Sequence, residues 1–317
     1  MVNGATSGRD RLGVIDLGSN TVLLLVLDPD GRTVCDEARI TRLGQGVFET
    51  GRLRRDARAR TLAAVEELAR RARELGATRV VCVGTEAMRR AHNAPALVEE
   101  LCMLRAGGPR LLDEVRVLTP ELEAQLGIES ALRARGAAAR VTVVDVGGGS
   151  TEVTRAAAGG VRGVSLPLGA VRLTEAHVSE YPVPPRELAE LRAAVDRELR
   201  GLERAPVGDV VAVAGTATTL GALELELEPY RPEPVEGLPL ARADVERWTL
   251  RLAGLSLEAC TALPGMQPGR ADVMVAGLVI LGHVLTALGA ERFLVSGRGV
   301  RHGVGLRLLE AEGGGVW

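Results

Sequence analysis

Apolar residues along the chain fall into two kinds of segment, short continuous runs and longer stretches with helical spacing. Short runs rich in Val, Leu and Ile predict buried strands, and the longer stretches predict helices with one apolar face. The strand-like runs cover residues 12–17, 79–83, 115–118, 141–146, 210–214 and 292–295. The helical segments cover residues 54–75, 95–104, 185–202, 241–252, 271–288 and 300–310. Their alternation predicts an α/β fold with parallel strands joined by crossover helices.

Two of the strand-like runs carry the same pattern of polar residues. Asp16 lies inside the first run, and a small-residue turn with Ser19 and Asn20 follows it. Asp145 lies inside a later run, and three glycines and Ser150 follow it. The aspartates are 145 − 16 = 129 residues apart, about the length of one domain. We therefore interpret the chain as an internal duplication whose halves face each other across a cleft.

The residues of these turns indicate a site that handles phosphate. A carboxylate in an apolar strand is costly unless it has a partner, and a divalent metal is the usual one. Asp16 and Asp145 are therefore candidate metal ligands. Gly147, Gly148 and Gly149 carry no Cβ, so the backbone N–H groups of that turn can close on an anion. Two ordinary hairpins with glycine turns are the alternative interpretation.

Further candidates follow other predicted strands, at the edge where open α/β sheets bind their ligands. Arg89 follows the run 79–83 and is a candidate phosphate contact. Its neighbour Arg90, or a solvated helix face, is the alternative. Gly215 and Thr216 begin a helix after the run 210–214, and such a helix start binds anions readily.

An acid is also predicted to point into the cleft. Thr119 has the features of an N-cap, with proline at the next position, so Glu123 lies in the first turn of the following helix. Because that helix starts where the strand 115–118 ends, its first turn faces the proposed cleft. An acid that only complements the helix dipole is the alternative interpretation.

Composition excludes several classes of site. The 317-residue chain has a net charge of −2, so no basic field indicates nucleic acid or an anionic membrane as a partner. The sequence contains no lysine, which excludes a Walker-type phosphate loop and leaves arginine as the only long cation for phosphate. The four cysteines and four histidines form no zinc-binding pattern.

The compartment is predicted from what the sequence lacks. The N-terminus has no apolar segment typical of a secretory signal. The most apolar helical stretch, residues 273–288, is judged too short and too interrupted to span a bilayer. We therefore expect a soluble, cytoplasmic protein with no membrane partner. The proline-rich residues 228–239 are expected to form an exposed, mobile loop.

Taken together, these motifs resemble those of the exopolyphosphatase/guanosine pentaphosphate phosphohydrolase (Ppx/GppA) family. The matching segments are D-L-G-S-N at 16–20, G-T-x-x-x-R at 84–89, E-A at 123–124, D-V-G-G-G-S-T-E at 145–152, L-G-A-V-R-L at 168–173, G-T-x-T-T at 215–219 and R-A-D-V-M-V-A-G at 270–277. They occur in order and cover nearly the whole chain.

The resemblance implies the fold of the actin and acetate and sugar kinase superfamily, with two duplicated ribonuclease-H-like domains and an interdomain cleft. We place the N-terminal domain at residues 1–125 and the C-terminal domain at residues 126–299. A terminal helix at about 300–312 is expected to pack back on the first domain. Members of the family are dimers, so a homodimer is expected as well.

The resemblance also implies a role for each candidate residue. Asp16 and Asp145 would lie near Mg²⁺, with Mn²⁺ as the alternative ion, and Glu152 would assist that electrostatic arrangement. Glu123 would orient or deprotonate the attacking water, and Arg89 would be the cationic clamp on phosphate. The groups that would hold phosphate oxygens are Ser19, Asn20, Gly147, Gly148, Gly149, Ser150, Gly215 and Thr216.

The sequence departs from the family pattern in several places. Family members usually read G-x-E-E-A where this chain has residues 120–124, and only Glu123 is in register. The segment D-G-A-L-R-E-G becomes residues 297–303, which lose both acids. Longer members continue into a helical HD-type domain, so this chain is expected to be a short form.

The leading hypothesis is a metal-dependent exopolyphosphatase that removes terminal phosphate from short-chain inorganic polyphosphate. The alternatives are a guanosine pentaphosphate 5′-phosphohydrolase, a catalytically weak regulatory protein that binds polyphosphate or alarmones, and an ATP-dependent kinase or ATPase. Aromatic residues make up 2% of the chain, and the sequence shows no platform for stacking a base.

Overall fold

The computed structural model describes residues 11–136, 139–157 and 160–311. Its strands are β1 (Arg11–Leu17), β2 (Thr21–Leu27), β3 (Thr33–Ile40), β4 (Ala77–Gly84), β5 (Glu114–Val117), β6 (Val141–Val146), β7 (Thr151–Ala157), β8 (Gly160–Leu166), β9 (Asp209–Val213), β10 (Pro239–Ala241) and β11 (Arg292–Val295). Its helices are α1 (Val47–Thr50), α2 (Arg55–Glu74), α3 (Glu86–Arg90), α4 (Ala94–Cys102), α5 (Pro120–Arg135), α6 (Ala170–His177), α7 (Pro185–Glu198), α8 (Ala214–Glu224), α9 (Arg242–Ala253), α10 (Leu257–Thr261), α11 (Ala271–Leu288) and α12 (Val300–Glu310).

The two sheets share one plan. The first has the order β3-β2-β1-β4-β5, with β1 to β3 antiparallel and β4 and β5 parallel to β1. The second, read from its β8 edge, has the order β8-β7-β6-β9-β11 with the same directions. One further antiparallel strand, β10, pairs with β11. The predicted α/β fold with duplicated ribonuclease-H-like halves is therefore confirmed.

Helix α5 connects the two sheets and contributes to the packing of both. Thr119 caps its start, because the Thr119 hydroxyl accepts a hydrogen bond from the Leu122 amide at 3.2 Å. Leu126 is buried among residues of the first sheet, whereas Ile128 and Ala131 are buried against the second. The domain boundary drawn at residues 125 and 126 thus falls inside a helix, and it stays a prediction.

The last helix of the described chain, α12, lies on the first sheet. Val300, Val304 and Leu308 are buried with Val14 of β1 and Leu25 of β2. The chain therefore crosses between the halves twice, once through α5 and once between β11 and α12. These two crossings hold the cleft edges of both sheets together.

Helix α11 corrects one expectation from the sequence. Its 18 residues are long and apolar enough, by length and composition, to cross a membrane, so the judgement that this stretch is too short was wrong. Burial explains its composition instead, because 72% of the helix is inside the fold. It is the central helix of the larger core, where Ile280 and Leu281 are fully buried.

The segment 228–239 is mostly exposed and irregular, as predicted, but one buried side chain anchors it. Val235 is 1% exposed and joins the core of the second half, and Pro239 already belongs to β10. Apolar burial therefore holds the middle of a segment whose prolines indicated an exposed loop. Tyr230, nearer its start, remains 36% exposed.

The packing of α12 on α5 depends on a glycine. A Cβ at Gly303 would overlap the carbonyl group of Leu126, which is backbone and cannot rotate away. We expect Gly303→Ala to lower the free energy of unfolding by about 2–3 kcal/mol, as overpacking of a core does. Urea unfolding measures this change.

Gly127→Ala on the facing helix is the matched control. A Cβ there meets nothing within 4 Å, and alanine favours a helix over glycine. This variant should be as stable as the wild type or slightly more so. Equal stability of the two variants would contradict the packing described for α12.

Candidate active site

The two motifs with a strand aspartate form the same turn. In the first, the Gly18 amide donates a hydrogen bond to the Thr21 carbonyl at 3.0 Å. In the second, the Gly147 amide donates to the Ser150 carbonyl, also at 3.0 Å. Each turn joins a strand to its antiparallel partner at the carboxyl end of the strand, so the duplication extends to the backbone of the turns.

These turns meet face to face between the two sheets. A Cβ at Gly148 would lie 2.9 Å from the Ser19 Cβ and 3.3 Å from the Asn20 amide nitrogen. A Cβ at Gly149 would overlap the ring of Phe48. The glycines are therefore required by close approach of the two halves, and they leave the turn without side chains on the cleft side.

Four acidic side chains lie together beside the turns. Asp16 is buried at the end of β1, and Asp145, partly buried, occupies the matching position in β6. Glu152 is buried on β7, where it pairs with Asp145 in the sheet register. Glu123 is buried in the first turn of α5, as predicted from the N-cap. The sequence-predicted acids are thus brought to one cavity.

Burial and mutual repulsion raise the pKa of each acid. Burial, followed by the charge of Glu123, raises the pKa of Asp16 to about 7. The pKa of Asp145 also rises to about 7, from burial first and then from Glu123 and Asp16. Burial raises the pKa of Glu152 well above its ordinary value, although a hydrogen bond from Ser165 at 2.7 Å opposes that rise. The cluster therefore favours the binding of a cation, which would stabilise the ionised carboxylates.

Two arginines face this cavity, and no role was assigned to them from the sequence. Arg301 on α12 lines it, and its positive charge lowers the pKa of Asp16 and of Asp145 against the larger effect of burial. Asp36 of β3 holds the Arg301 guanidinium through bonds of 2.7 and 3.2 Å. Arg270 lies in a segment that matches the family, 270–277, whereas Arg301 lies in the altered segment 297–303 and stands where the family pattern D-G-A-L-R-E-G has its arginine.

Arg270 is the second of these arginines, and it has no carboxylate partner among the hydrogen bonds and ion pairs of the described residues. Its Nε donates to Gln267 at 3.0 Å and its Nη2 to the Thr21 hydroxyl at 3.3 Å. Burial lowers its pKa to about 10, so the guanidinium remains charged at neutral pH. A buried cation of this kind is a good contact for phosphate.

The Gly215 turn contacts Arg270 directly. A Cβ at Gly215 would overlap the Arg270 guanidinium, so this glycine makes room for the cation. Thr216 is buried in the first turn of α8, and both residues line the cavity with Ser19, Asn20 and Ser150. The predicted phosphate-binding residues therefore come together, apart from Arg89.

Arg89 is near the cavity but not among the residues that line it. Its Nη1 donates to Glu123 Oε2 at 2.5 Å and to the Leu118 carbonyl at 2.9 Å. Its Nη2 and Nε donate to Glu86 Oε2 at 2.9 and 3.2 Å. The predicted cationic clamp is engaged by two carboxylates in this structure.

A carboxylate from elsewhere in the chain is hydrogen-bonded to the start of the altered segment 297–303. Glu236 accepts hydrogen bonds from the Ser296 hydroxyl and from the Gly297 amide, both at 2.8 Å. The carboxylate comes from the segment that was predicted to be a mobile loop. Glu236 therefore fixes the start of this segment, although it does not line the cavity.

Comparison with known proteins agrees with this geometry. Residues 28–312 match the Ppx/GppA phosphatase family. The chain belongs to that family. It is 33% identical over 315 residues to Exopolyphosphatase 2 of Mycobacterium tuberculosis, which covers 94% of this chain and 98% of the relative. It is 28% identical to Exopolyphosphatase 1 of Mycobacterium bovis, with 96% of this chain and 90% of the relative covered.

Solved structures of Ppx/GppA proteins have the same fold. The Aquifex aeolicus family member superposes with a TM-score of 0.76 at 32% identity, covering 96% of this chain and 99% of that one. An exopolyphosphatase from Cytophaga hutchinsonii gives a TM-score of 0.84 at 25% identity, with 96% and 99% covered.

The residues of the cavity fit the divalent metal implied by the Ppx/GppA resemblance. Among the residues that the structure describes, no group of three or more His, Cys, Asp or Glu side chains could hold a metal by itself. Mg²⁺ does not need such a group, because it binds through one or two carboxylates, waters and substrate phosphates. Asp16 Oδ1 is buried without a hydrogen-bond partner. This oxygen and the Asp145 carboxylate suit such an ion.

Charge repulsion in the cluster gives a test. When folding raises the pKa of an acid, the folded state loses stability as the pH rises from the ordinary pKa of that acid to its raised value. At about pH 8, ionised Asp145 therefore lowers the free energy of unfolding. We expect Asp145→Asn to raise the free energy of unfolding without metal by on the order of 2 kcal/mol, since one pKa unit corresponds to about 1.4 kcal/mol. The same variant should lose stabilisation by Mg²⁺ with phosphate.

The control for this experiment is Asp209→Asn, which changes an exposed aspartate at the opposite end of the second sheet. Thermal unfolding with EDTA, and then with Mg²⁺ and phosphate, measures both effects. An Asp145→Asn variant that keeps the full Mg²⁺ response would remove Asp145 from the metal site.

Proposed function

We propose that this Ppx/GppA protein is a metal-dependent exopolyphosphatase that hydrolyses the terminal phosphate of short-chain inorganic polyphosphate. The observation that carries the proposal is the position of Glu123, a buried acid in the same cavity as the two glycine-containing turns. The names of the mycobacterial relatives and of the Cytophaga structure support polyphosphate as the substrate.

The terminal phosphate would lie in the cavity beside the two turns. Backbone N–H groups of residues 148–150 and the polar groups of Ser19 and Asn20 would hold its oxygens, whereas the Gly147 amide already donates to the Ser150 carbonyl. Arg270 would neutralise part of the phosphate charge. Asp16 and Asp145 would hold Mg²⁺, with Mn²⁺ as the alternative ion. The metal would neutralise charge on the phosphoryl oxygens and on the leaving phosphate.

Glu123 would act as the general base. Its carboxylate would accept a proton from water as the water oxygen attacks the terminal phosphorus, and the bond to the bridging oxygen would break. The products would be one inorganic phosphate and a polyphosphate chain shorter by one phosphate unit. Glu152, which accepts a hydrogen bond from Ser165, would add to the negative electrostatic potential at the metal site.

The substitution Glu123→Gln tests this assignment. The amide has the same shape but cannot accept the proton, so we expect kcat for phosphate release to fall by about 10² to 10⁴-fold, the contribution of a positioned base. Affinity for polyphosphate should not fall. The assay measures phosphate release from short-chain polyphosphate with Mg²⁺ and with EDTA.

Full activity of Glu123→Gln would show that another group activates the water. No release by the wild type, with polyphosphate still raising the melting temperature, would instead favour the alternative of a regulatory binder. Release from ATP in preference to polyphosphate would favour an ATPase.

One observation favours guanosine pentaphosphate as a second candidate substrate. A side pocket adjoins the cavity and shares Arg270 and Arg301 with it. Tyr230, Pro232 and Pro268 line this side pocket, so an aromatic ring is available next to the phosphate site after all. Stacking of a base on an aromatic side chain contributes about 1–3 kcal/mol.

Tyr230→Ala separates the two substrates. If the side pocket takes guanine, kcat/KM for guanosine pentaphosphate should fall about tenfold, whereas hydrolysis of polyphosphate should not change. Phosphate release from each substrate, measured side by side, makes polyphosphate the internal control. An equal loss on both substrates would show that Tyr230 only supports the fold.

A further inference from the structure

The donor groups of Arg89 are nearly all used inside the protein. A guanidinium has five N–H groups, and phosphate recognition by arginine typically uses two parallel ones. The bonds to Glu86, Leu118 and Glu123 occupy four of them. Only one N–H group on Nη2 remains, which is insufficient for a bidentate contact with phosphate.

The partners of Arg89 face the cavity while Arg89 stands behind them. Glu86 and Glu123 both line the cavity, and Arg89 does not. The Arg89 side chain is 15% exposed and that of Glu123 is 10% exposed, so the pair is shielded from water. An ion pair in such surroundings is screened less by salt and holds a more defined geometry than a surface pair.

The contacts of Arg89 also connect the ends of two strands. Arg89 lies on α3, directly after β4, and the Leu118 carbonyl lies between β5 and the N-cap of α5. The planar guanidinium thus fixes the first turn of α5, which carries Glu123, relative to α3. Glu123 Oε2 receives this bond, and among the described residues no hydrogen bond reaches Oε1.

We propose that Arg89 is a positioning residue for Glu123 and not the phosphate clamp. It holds one carboxylate oxygen of Glu123 so that the other oxygen faces the attacking water. This inference rests on the proposed function, since it needs Glu123 to act on water. It differs from the expectation by resemblance, in which Arg89 binds phosphate directly.

The two roles predict opposite kinetics for Arg89→Met, which keeps an unbranched apolar stem and removes the charge and the donors. A positioning role lowers kcat for phosphate release from polyphosphate, by about 100-fold given the contribution of a positioned base, and leaves KM within about twofold. A phosphate clamp raises KM instead. Arg89→Lys keeps a charge and one bond to Glu123, so its kcat should fall less.

Arg90→Met is the matched control. Arg90 lies on the same helix and donates to the same Glu86, at 2.9 Å, but its side chain is 54% exposed and it does not contact Glu123. Its kcat and KM should equal those of the wild type. Melting temperatures of all variants show whether a loss of activity comes from unfolding.

A double variant provides a readout that does not depend on turnover. In the Glu123→Gln background, adding Arg89→Met should leave polyphosphate affinity unchanged, measured as the rise in melting temperature with polyphosphate concentration. It should also cost less than tenfold in the residual kcat, because both changes affect the same step. A loss of affinity on adding Arg89→Met would overturn the proposal and restore the clamp.

The outcomes distinguish this inference from the proposed function. A wild type without polyphosphate hydrolysis, or a fully active Glu123→Gln, contradicts the proposed function and with it the need for positioning. An active wild type with an inactive Glu123→Gln, but with Arg89→Met changed only in KM or in nothing, contradicts the positioning role alone.

Discussion

The repulsion among four buried carboxylates is the constraint on which the rest of this site depends. Asp16, Glu123, Asp145 and Glu152 come from four different elements, and the fold brings them into one cavity where burial limits the solvation of their charges. Burial alone raises the pKa of these groups, and each additional ionised neighbour raises it further. The protein supplies fixed cations beside the acids, Arg301 and Arg89. Under the proposed function, a divalent metal would neutralise much of the negative charge that remains. Ionised acids therefore lower the stability of the metal-free fold, and metal binding would restore it.

The internal duplication explains why each half contributes a strand aspartate and a similar turn to the cavity. Each half presents an aspartate at the end of its first strand and a turn closed by one amide-to-carbonyl hydrogen bond of 3.0 Å. The two halves differ in the groups that would activate water and bind phosphate. Only the first half is followed by a helix with an acid in its first turn, and only the second carries the three glycines.

Much of this arrangement could be predicted from the sequence because its signals are local. A strand aspartate before a glycine turn, and a threonine N-cap four residues before an acid, are readable in a few adjacent letters. The ends of α11 and α12 agree with the periodic apolar pattern for the same reason. The burial of Val235 was not predicted, because the packing of one apolar side chain in a proline-rich segment depends on residues far along the chain. The judgement that α11 could not span a membrane was wrong because length and composition alone do not separate a core helix from a spanning one.

The arginines show where prediction from sequence stops. Arg89 and Arg270 lie in equally good motifs, but one is engaged by two carboxylates and the other by an amide and a hydroxyl. Which arginine keeps donors free for a ligand is decided by partners that lie 34 and 249 residues away. A motif therefore identifies a cation near phosphate, and only the count of its hydrogen bonds says what that cation can still bind.

The contact between Gly148 and Ser19 limits how a polymeric substrate could enter the cavity. With the two turns touching, there is no passage between them for a chain that continues on both sides of the attacked phosphate. Under the proposed function, a long polyanion in this cavity would present an end, and the unreacted part of the chain would lie on the side away from the turns. Preference for chain ends would then be a matter of shape, set by the missing Cβ of Gly148 at the contact and independent of any group that recognises a terminus.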